Sequence, residues 1–216
     1  MSVISIDVDA QRAFSTLCPQ ELPVAGATEI VVELNAQAEL ADFRVLTRDG
    51  HGARAVWIVP DHTQMVQPLN FPNANLTWVR HAEVGTDGFL PLPGLPEPAE
   101  YDFLAIKGCD DDMHPFGVCY QDLAERISTG LIEWLQVRGA KVLIVGGLAT
   151  DYCVKTSVLQ LCRAGGWKVL LNTAACRGIA EDTTTTALEE MRAAGAILLE
   201  NAQAVRDWLA ANPQPL

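Results

Sequence analysis

Lys141-Val142-Leu143-Ile144-Val145-Gly146-Gly147-Leu148-Ala149-Thr150-Asp151-Tyr152-Cys153 is the stretch on which the reading of this chain turns. Its first five residues form the strongest strand pattern in the sequence. A helical pattern follows in Val154, Val158, Leu159, Leu161 and Cys162. Cys153 therefore sits at a strand-to-helix junction, at the carboxyl end of a parallel strand, where open α/β sheets place their sites. Backbone N–H groups at a helix start are unpaired and favour negative charge. The position thus predicts a thiol that ionises easily, and the thiolate is the nucleophilic form.

Outward from this segment, strand-like and helix-like patterns alternate. Strands are expected at Val3–Val8, Phe43–Thr47, Phe103–Ile106, Lys141–Val145, Trp167–Leu171 and Ala196–Leu199. Helices are expected at Thr28–Leu40, Leu123–Val137, from Cys153 to the Gly165-Gly166 stop, from an Asp182 cap to about Ala194, and at Ala202–Ala210. This alternation implies crossover helices and a parallel sheet, an α/β fold in one domain over residues 1–216. Residues 50–100 break the rhythm and hold most of the prolines. A loop this long is usually functional, and its Trp57, Trp78, His51, His62 and His81 mark it as a site-forming excursion.

Composition bounds the function. The chain has 216 residues, 49% apolar, with 27 acidic against 15 basic side chains and a formal charge of −12. That length supports one sizeable core. The acidic balance, with no Lys/Arg cluster, argues against nucleic acid and anionic membranes as partners. No apolar run is long enough to span a bilayer. The N-terminus enters a strand pattern at once, so a cytoplasmic protein without a signal peptide is expected. None of the six cysteines form a C-x-x-C pair, and reduced thiols are expected. Cys162 falls on the apolar stripe of its helix and reads as a small core residue.

Two constellations carry chemistry. Asp9 ends the first strand, Lys107 the third, and Cys153 follows the fourth, so all three reach one edge of a parallel sheet. A carboxylate can take the thiol proton, an ammonium can hold the charged site together, and the thiolate can attack a carbonyl. Asp49 and His51 follow the second strand on the same edge, two residues apart, and so point the same way. With His81 arriving from the loop they could bind a divalent metal, leaving positions open for water or substrate. Phe14 and Trp78 could each stack on a flat ring.

Taken together, Asp9-Ala10-Gln11-Arg12-Ala13-Phe14, Thr47-Arg48-Asp49-Gly50-His51, Trp78-Val79-Arg80-His81, Lys107-Gly108 and Gly147–Lys155 resemble the isochorismatase-like hydrolase superfamily. Within it, the chain is similar to the nicotinamidase/pyrazinamidase group. The resemblance implies a three-layer fold, a six-stranded parallel sheet with helices on both faces. It implies Asp9, Lys107 and Cys153 as a catalytic triad, and Asp49, His51 and His81 as ligands of Zn²⁺ (or iron or manganese). It implies a cis Leu148-Ala149 bond, with the N–H groups of Ala149 and Cys153 forming an oxyanion hole. Phe14 and Trp78 would flank a pyridine ring whose nitrogen binds the metal. Nicotinamide would be hydrolysed through a cysteine thioester. A homo-oligomer is expected by the same analogy.

The sequence departs from the family pattern around the pocket. Gly50 and Gly52 replace a bulky residue and a proline, and Ala82 stands where a cysteine is common. Arg12-Ala13 replaces Asn-Asp. After Lys107, Asp112-Met113-His114-Pro115-Phe116 stands in place of an Asp-Ser-Tyr-Ser type run. No role is assigned to His114, and His62 reads as an ordinary loop histidine. Two other readings therefore stay open: a metal-independent amidase of another small amide, of carbamoyl or maleamate type, and a non-catalytic ligand-binding member of the fold.

Overall fold

The structure is a computed structural model and describes residues 2–213. In chain order its elements are β1 (Ser2–Val8), α1 (Ile30–Ala38), β2 (Phe43–Asp49), β3 (Ile58–Val59), β4 (Pro68–Phe71), β5 (Ala74–Leu76), β6 (Trp78–Val79) and β7 (Phe103–Lys107). There follow α2 (Leu131–Val137), β8 (Ala140–Leu148), α3 (Lys155–Ala164), β9 (Lys168–Arg177), α4 (Glu181–Ala193), β10 (Ile197–Leu199) and α5 (Ala202–Ala211). Six strands form a parallel sheet in the order β10-β9-β8-β1-β2-β7. The chain winds one way from β1 through β2 to β7, then returns to the other side of β1 and winds through β8, β9 and β10. The switch between the two halves falls between β1 and β8, the crevice where open sheets of this kind bind ligands.

Period-two alternation explains the packing on the two faces of the sheet. Leu143 and Val145 of β8 pack with Ile4, Ile6 and Val8 against Leu131 and Leu135 of α2, Val158 and Leu161 of α3, and Ala187 and Met191 of α4. Val142 and Ile144, one residue out of phase, face the other way and meet Val205 of α5. α1 contributes Ile30 and Leu34 to a third cluster that also holds Ala10, Trp57, Trp78 and Leu148. The sheet is covered on both faces, which accounts for the near-continuous apolar run in β8.

Three expectations change. The helix expected at Leu123–Val137 starts only at Leu131. Before it, the Asp122 carboxylate accepts from the N–H groups of Arg126 and Ile127. Gln121 N–H donates to Ile127 O, closing a turn where a helix would need other partners. Asp182 is not the cap of α4: Ala180 occupies that position. The Asp151 carboxylate instead accepts from Ile179 N, Ala180 N and Thr183 Oγ1, at 3.0, 3.3 and 2.6 Å, tying the entry of α4 to the Cys153 turn. β9 runs on to Arg177 past the expected Leu171, with an irregularity opposite Val145 and Gly147. No helix among the described residues is long and apolar enough to cross a membrane.

Residues 50–100 fold over the carboxyl edge of the sheet. They form a parallel β3–β6 pair and an antiparallel β4–β5 hairpin. Trp57, fully buried, anchors the excursion by donating from Nε1 to Met113 O at 3.0 Å.

Candidate active site

β8 delivers Cys153 through a peptide path that only glycine permits. A Cβ on Gly147 would lie 1.9 Å from the O of Val8, its register partner on β1, and its φ is 141°. The Leu148-Ala149 bond is cis, as the resemblance implies. The chain then makes a wide turn over Thr150–Val154, in which Val154 N–H reaches back to Ala149 O at 3.1 Å, before α3 begins. Cys153 lies within this turn and is buried.

Asp9, Lys107 and Cys153 converge. Lys107 Nζ lies 3.1 Å from Asp9 Oδ2 and 3.7 Å from Cys153 Sγ. It also donates to Pro115 O at 3.1 Å. Thr47 Oγ1 donates to Asp9 Oδ1 at 2.7 Å and accepts Asp9 N–H at 3.1 Å, which fixes the carboxylate beside the thiol. The strongest contact of Lys107 is with Asp49, at 2.6 Å to Oδ1. Asp49 is thus shared between the two constellations, which the sequence presents as separate.

The electrostatics divide the two carboxylates. Burial raises Asp9 above the ordinary carboxylate range, and the Lys107 charge only partly offsets it. Burial pushes Asp49 the same way, but its surroundings, the Lys107 ammonium foremost, hold it well below that range. Environments that separate two neighbouring acids assign their roles. The two acids are thus driven apart, Asp49 toward its ionised form and Asp9 toward its protonated one. Burial opposes the charge of Lys107, but Asp49 and Asp9 outweigh it and keep the ammonium charged. The expectation of an easily ionised Cys153 fails. Burial raises the thiol well above its usual value, Lys107 lowers it, and Asp9 and Asp49 raise it again. Desolvation and two adjacent carboxylates overcome the helix-start effect, so the resting group is a thiol that needs a base.

Beside this centre, Asp49, His51, His81 and His114 place one donor atom each within 4.8 Å of one another, all buried. His51 Nδ1 lies 3.0 Å from Gly108 O, and His81 Nδ1 lies 2.7 Å from Val79 O. A carbonyl accepts only, so each Nδ1 carries the proton, and in the neutral ring Nε2 presents a lone pair. Burial lowers His81, which keeps it neutral. Both Nε2 atoms then face Asp49 Oδ2, at 3.3 Å from His51 and 3.8 Å from His81. Lone pairs converging on a carboxylate oxygen suit a cation between them, and imidazoles that donate their other nitrogen to a carbonyl are the usual metal ligands. The donor set fits a divalent ion.

The two centres line one cleft, walled by Phe14, Trp78, Phe116 and Tyr152 with Asp49, His81, His114, Ala149 and Cys153. His62 stays outside, exposed, its Nε2 2.6 Å from Glu21 O. Cys162 packs against the main core, as expected.

Two residues without a sequence-assigned role belong here. Gln11, fully buried, clamps Asp49 from both sides: Oε1 accepts Asp49 N–H at 2.8 Å and Nε2 donates to Asp49 O at 2.9 Å. Its signal was its place in the strand-end segment two residues after Asp9. His114 is the other, and its signal was the departure from the family pattern after Lys107.

The parallel sheet with this site at its switch point defines a hydrolase of the isochorismatase-domain family. The chain belongs to that family, whose model, described as Isochorismatase domain, matches residues 6–203. Among curated relatives it is 32% identical over 166 residues to a nicotinamidase/pyrazinamidase of Mycobacterium tuberculosis, covering 75% of this chain and 80% of that protein. Among solved structures it resembles an Acinetobacter nicotinamidase/pyrazinamidase with a TM-score of 0.83 at 24% identity, covering 94% of this chain and 97% of the other. It also resembles a Pyrococcus horikoshii pyrazinamidase solved in complex with zinc, with a TM-score of 0.71 at 24% identity, covering 91% and 98%. Within the family it falls in the nicotinamidase/pyrazinamidase group and is an amide-hydrolysing enzyme.

Proposed function

We propose that this chain is a metal-dependent amidase that hydrolyses nicotinamide to nicotinate and ammonia through a cysteine thioester. The observation that carries this reading is the shared carboxylate. Asp49 touches Lys107 with one oxygen and faces His51 and His81 with the other. The nucleophile and the metal ligands therefore work on one bound molecule in one cleft. The zinc complex of the Pyrococcus relative supports a divalent ion, with zinc the first candidate and iron or manganese the others.

Asp49, His51 and His81 would hold the ion. It would supply a Lewis acid that binds the pyridine nitrogen and draws electron density from the ring. Phe14 and Trp78, both on the cleft wall, flank that ring. Asp9 accepts the proton of Cys153, as its raised affinity for protons suits it to do. The sulfur attacks the carboxamide carbon, and the N–H groups of Ala149 and Cys153 receive the developing oxyanion. Lys107 keeps Asp9 and Asp49 in place and offsets their charge. Asp9 returns its proton to the departing ammonia, then takes one from the water that attacks the thioester; the C–S bond breaks, nicotinate is released, and Asp9 gives the proton back to the Cys153 sulfur.

Ammonia release tests this across nicotinamide, pyrazinamide, and carbamoyl- and maleamate-type amides, with and without chelator. The expected result is highest kcat/KM for nicotinamide, loss of turnover on chelation, and recovery on adding Zn²⁺, Fe²⁺ or Mn²⁺. Undiminished turnover in metal-free protein would leave a metal-independent amidase instead.

A further inference from the structure

We infer that His114 is a fourth protein ligand of the metal held by Asp49, His51 and His81; the inference rests on that metal-site reading. His114 is 4% exposed, and neither ring nitrogen has a hydrogen-bond partner among the described residues. A neutral imidazole has one N–H and one lone pair, and buried polar atoms are rarely left without partners. One of the His114 nitrogens lies within 4.8 Å of the donor atoms of Asp49, His51 and His81.

The ring is held in place for this. It stacks nearly parallel to His51, with centroids 5.0 Å apart at 14°, and to Trp78, 5.7 Å apart at 11°. Trp57 meets it edge-on at 4.5 Å. The backbone on either side is fixed: His114 N–H donates to Asn73 O at 2.6 Å, Met113 O accepts from Trp57 Nε1, and Pro115 O accepts from Lys107 Nζ. Such preorganisation suits a ligand better than a space-filling residue. With four protein donors the ion has one fewer position open to water or substrate than three would leave.

The test is metal affinity, measured with Zn²⁺ and Co²⁺ against a chromophoric chelator. It compares the unsubstituted protein with His114→Phe, which keeps an aromatic ring but no nitrogen, with His114→Ala, and with His51→Ala. Each His114 substitution is expected to weaken binding by about tenfold or more and to shift the visible spectrum of the Co²⁺ protein. Unchanged affinity and spectrum in the folded His114→Phe protein, beside lost binding in His51→Ala, would overturn the role of His114 and leave the three-ligand reading standing. Failure of the unsubstituted protein to bind either metal would overturn both. If His114→Phe does not fold, as judged by circular dichroism, His114→Ala decides by the same criteria. Failure of both to fold would overturn the inference in favour of a structural histidine.

Discussion

Asp49 and Lys107 are register partners on β2 and β7, and Lys107 Nζ donates to Asp49 Oδ1 at 2.6 Å. Neighbouring parallel strands bring the last residue of each side by side at the sheet edge. The contact joins the ammonium beside Cys153 to the carboxylate that faces the histidines. Asp49→Asn would remove an anion from both centres at once. The expected outcome is metal affinity reduced at least about tenfold. Ammonia release at saturating nicotinamide should fall in the same protein. Chelator competition and steady-state kinetics check the pair, and loss of one without the other would break the proposed link.

Cys153 and Cys162 stand nine positions apart on one turn-and-helix segment, but only Cys153 reaches Lys107. Cys153→Ala is expected to abolish ammonia release. Cys162→Ala removes a half-buried sulfur packed against the core, should leave release largely intact, and should cost about 1 kcal/mol of stability. Equal loss of activity in both would remove Cys153 as the nucleophile.

Gln11→Ala would strand the N–H and C=O of Asp49 in a site closed to water. Unpaired buried groups cost about 1–3 kcal/mol each, so a loss of about 2 kcal/mol or more is expected in urea unfolding. Metal affinity should fall with it, because the Asp49 backbone is no longer fixed. A substitution neutral in both measurements would show that the clamp does nothing.

Asp7 gives a pH dependence of stability away from the site. It is fully buried beside Arg44 and Tyr101, with Arg44 Nη2 2.7 Å and Tyr101 Oη 2.9 Å from Oδ2. Burial raises its pKa from 3.8 to about 6, against the lowering effects of Arg44 and Tyr101. The folded protein therefore keeps a proton that the unfolded chain has lost, and this group's contribution to stability falls as pH rises from about 4 to above 6. The total is about 3 kcal/mol. Asp7→Asn is neutral at every pH, so relative to the unsubstituted protein it should gain stability between pH 4.5 and pH 8. Denaturant titrations at the two pH values check the sign, and an unchanged difference would exclude an elevated Asp7.

Much of the fold was legible because its signals are local. The apolar run of β8, the glycines at its end and the alternation of strands and helices each follow from residues near one another in the chain. Parallel strands in turn place Asp9, Lys107, Asp49 and Cys153 on one edge. The Leu123–Val137 helix was overread because Asp122 binds the backbone N–H groups that would have continued it. The role of Asp151 was missed because its partners, Ile179, Ala180 and Thr183, lie about thirty residues away.

The sequence by itself determined the sheet edge at which the chemistry gathers and the residue types present there. The tertiary structure alone decided that β2 and β7 pair in the register that sets Asp49 on Lys107. It also decided that burial among carboxylates, rather than the start of a helix, governs the Cys153 thiol. It brought His114 from beyond β7 to His51 and His81. Periodicity reports which way a side chain points on its own element. Which distant side chain it meets, and how much water remains between them, depends on loops packed across the sheet edge.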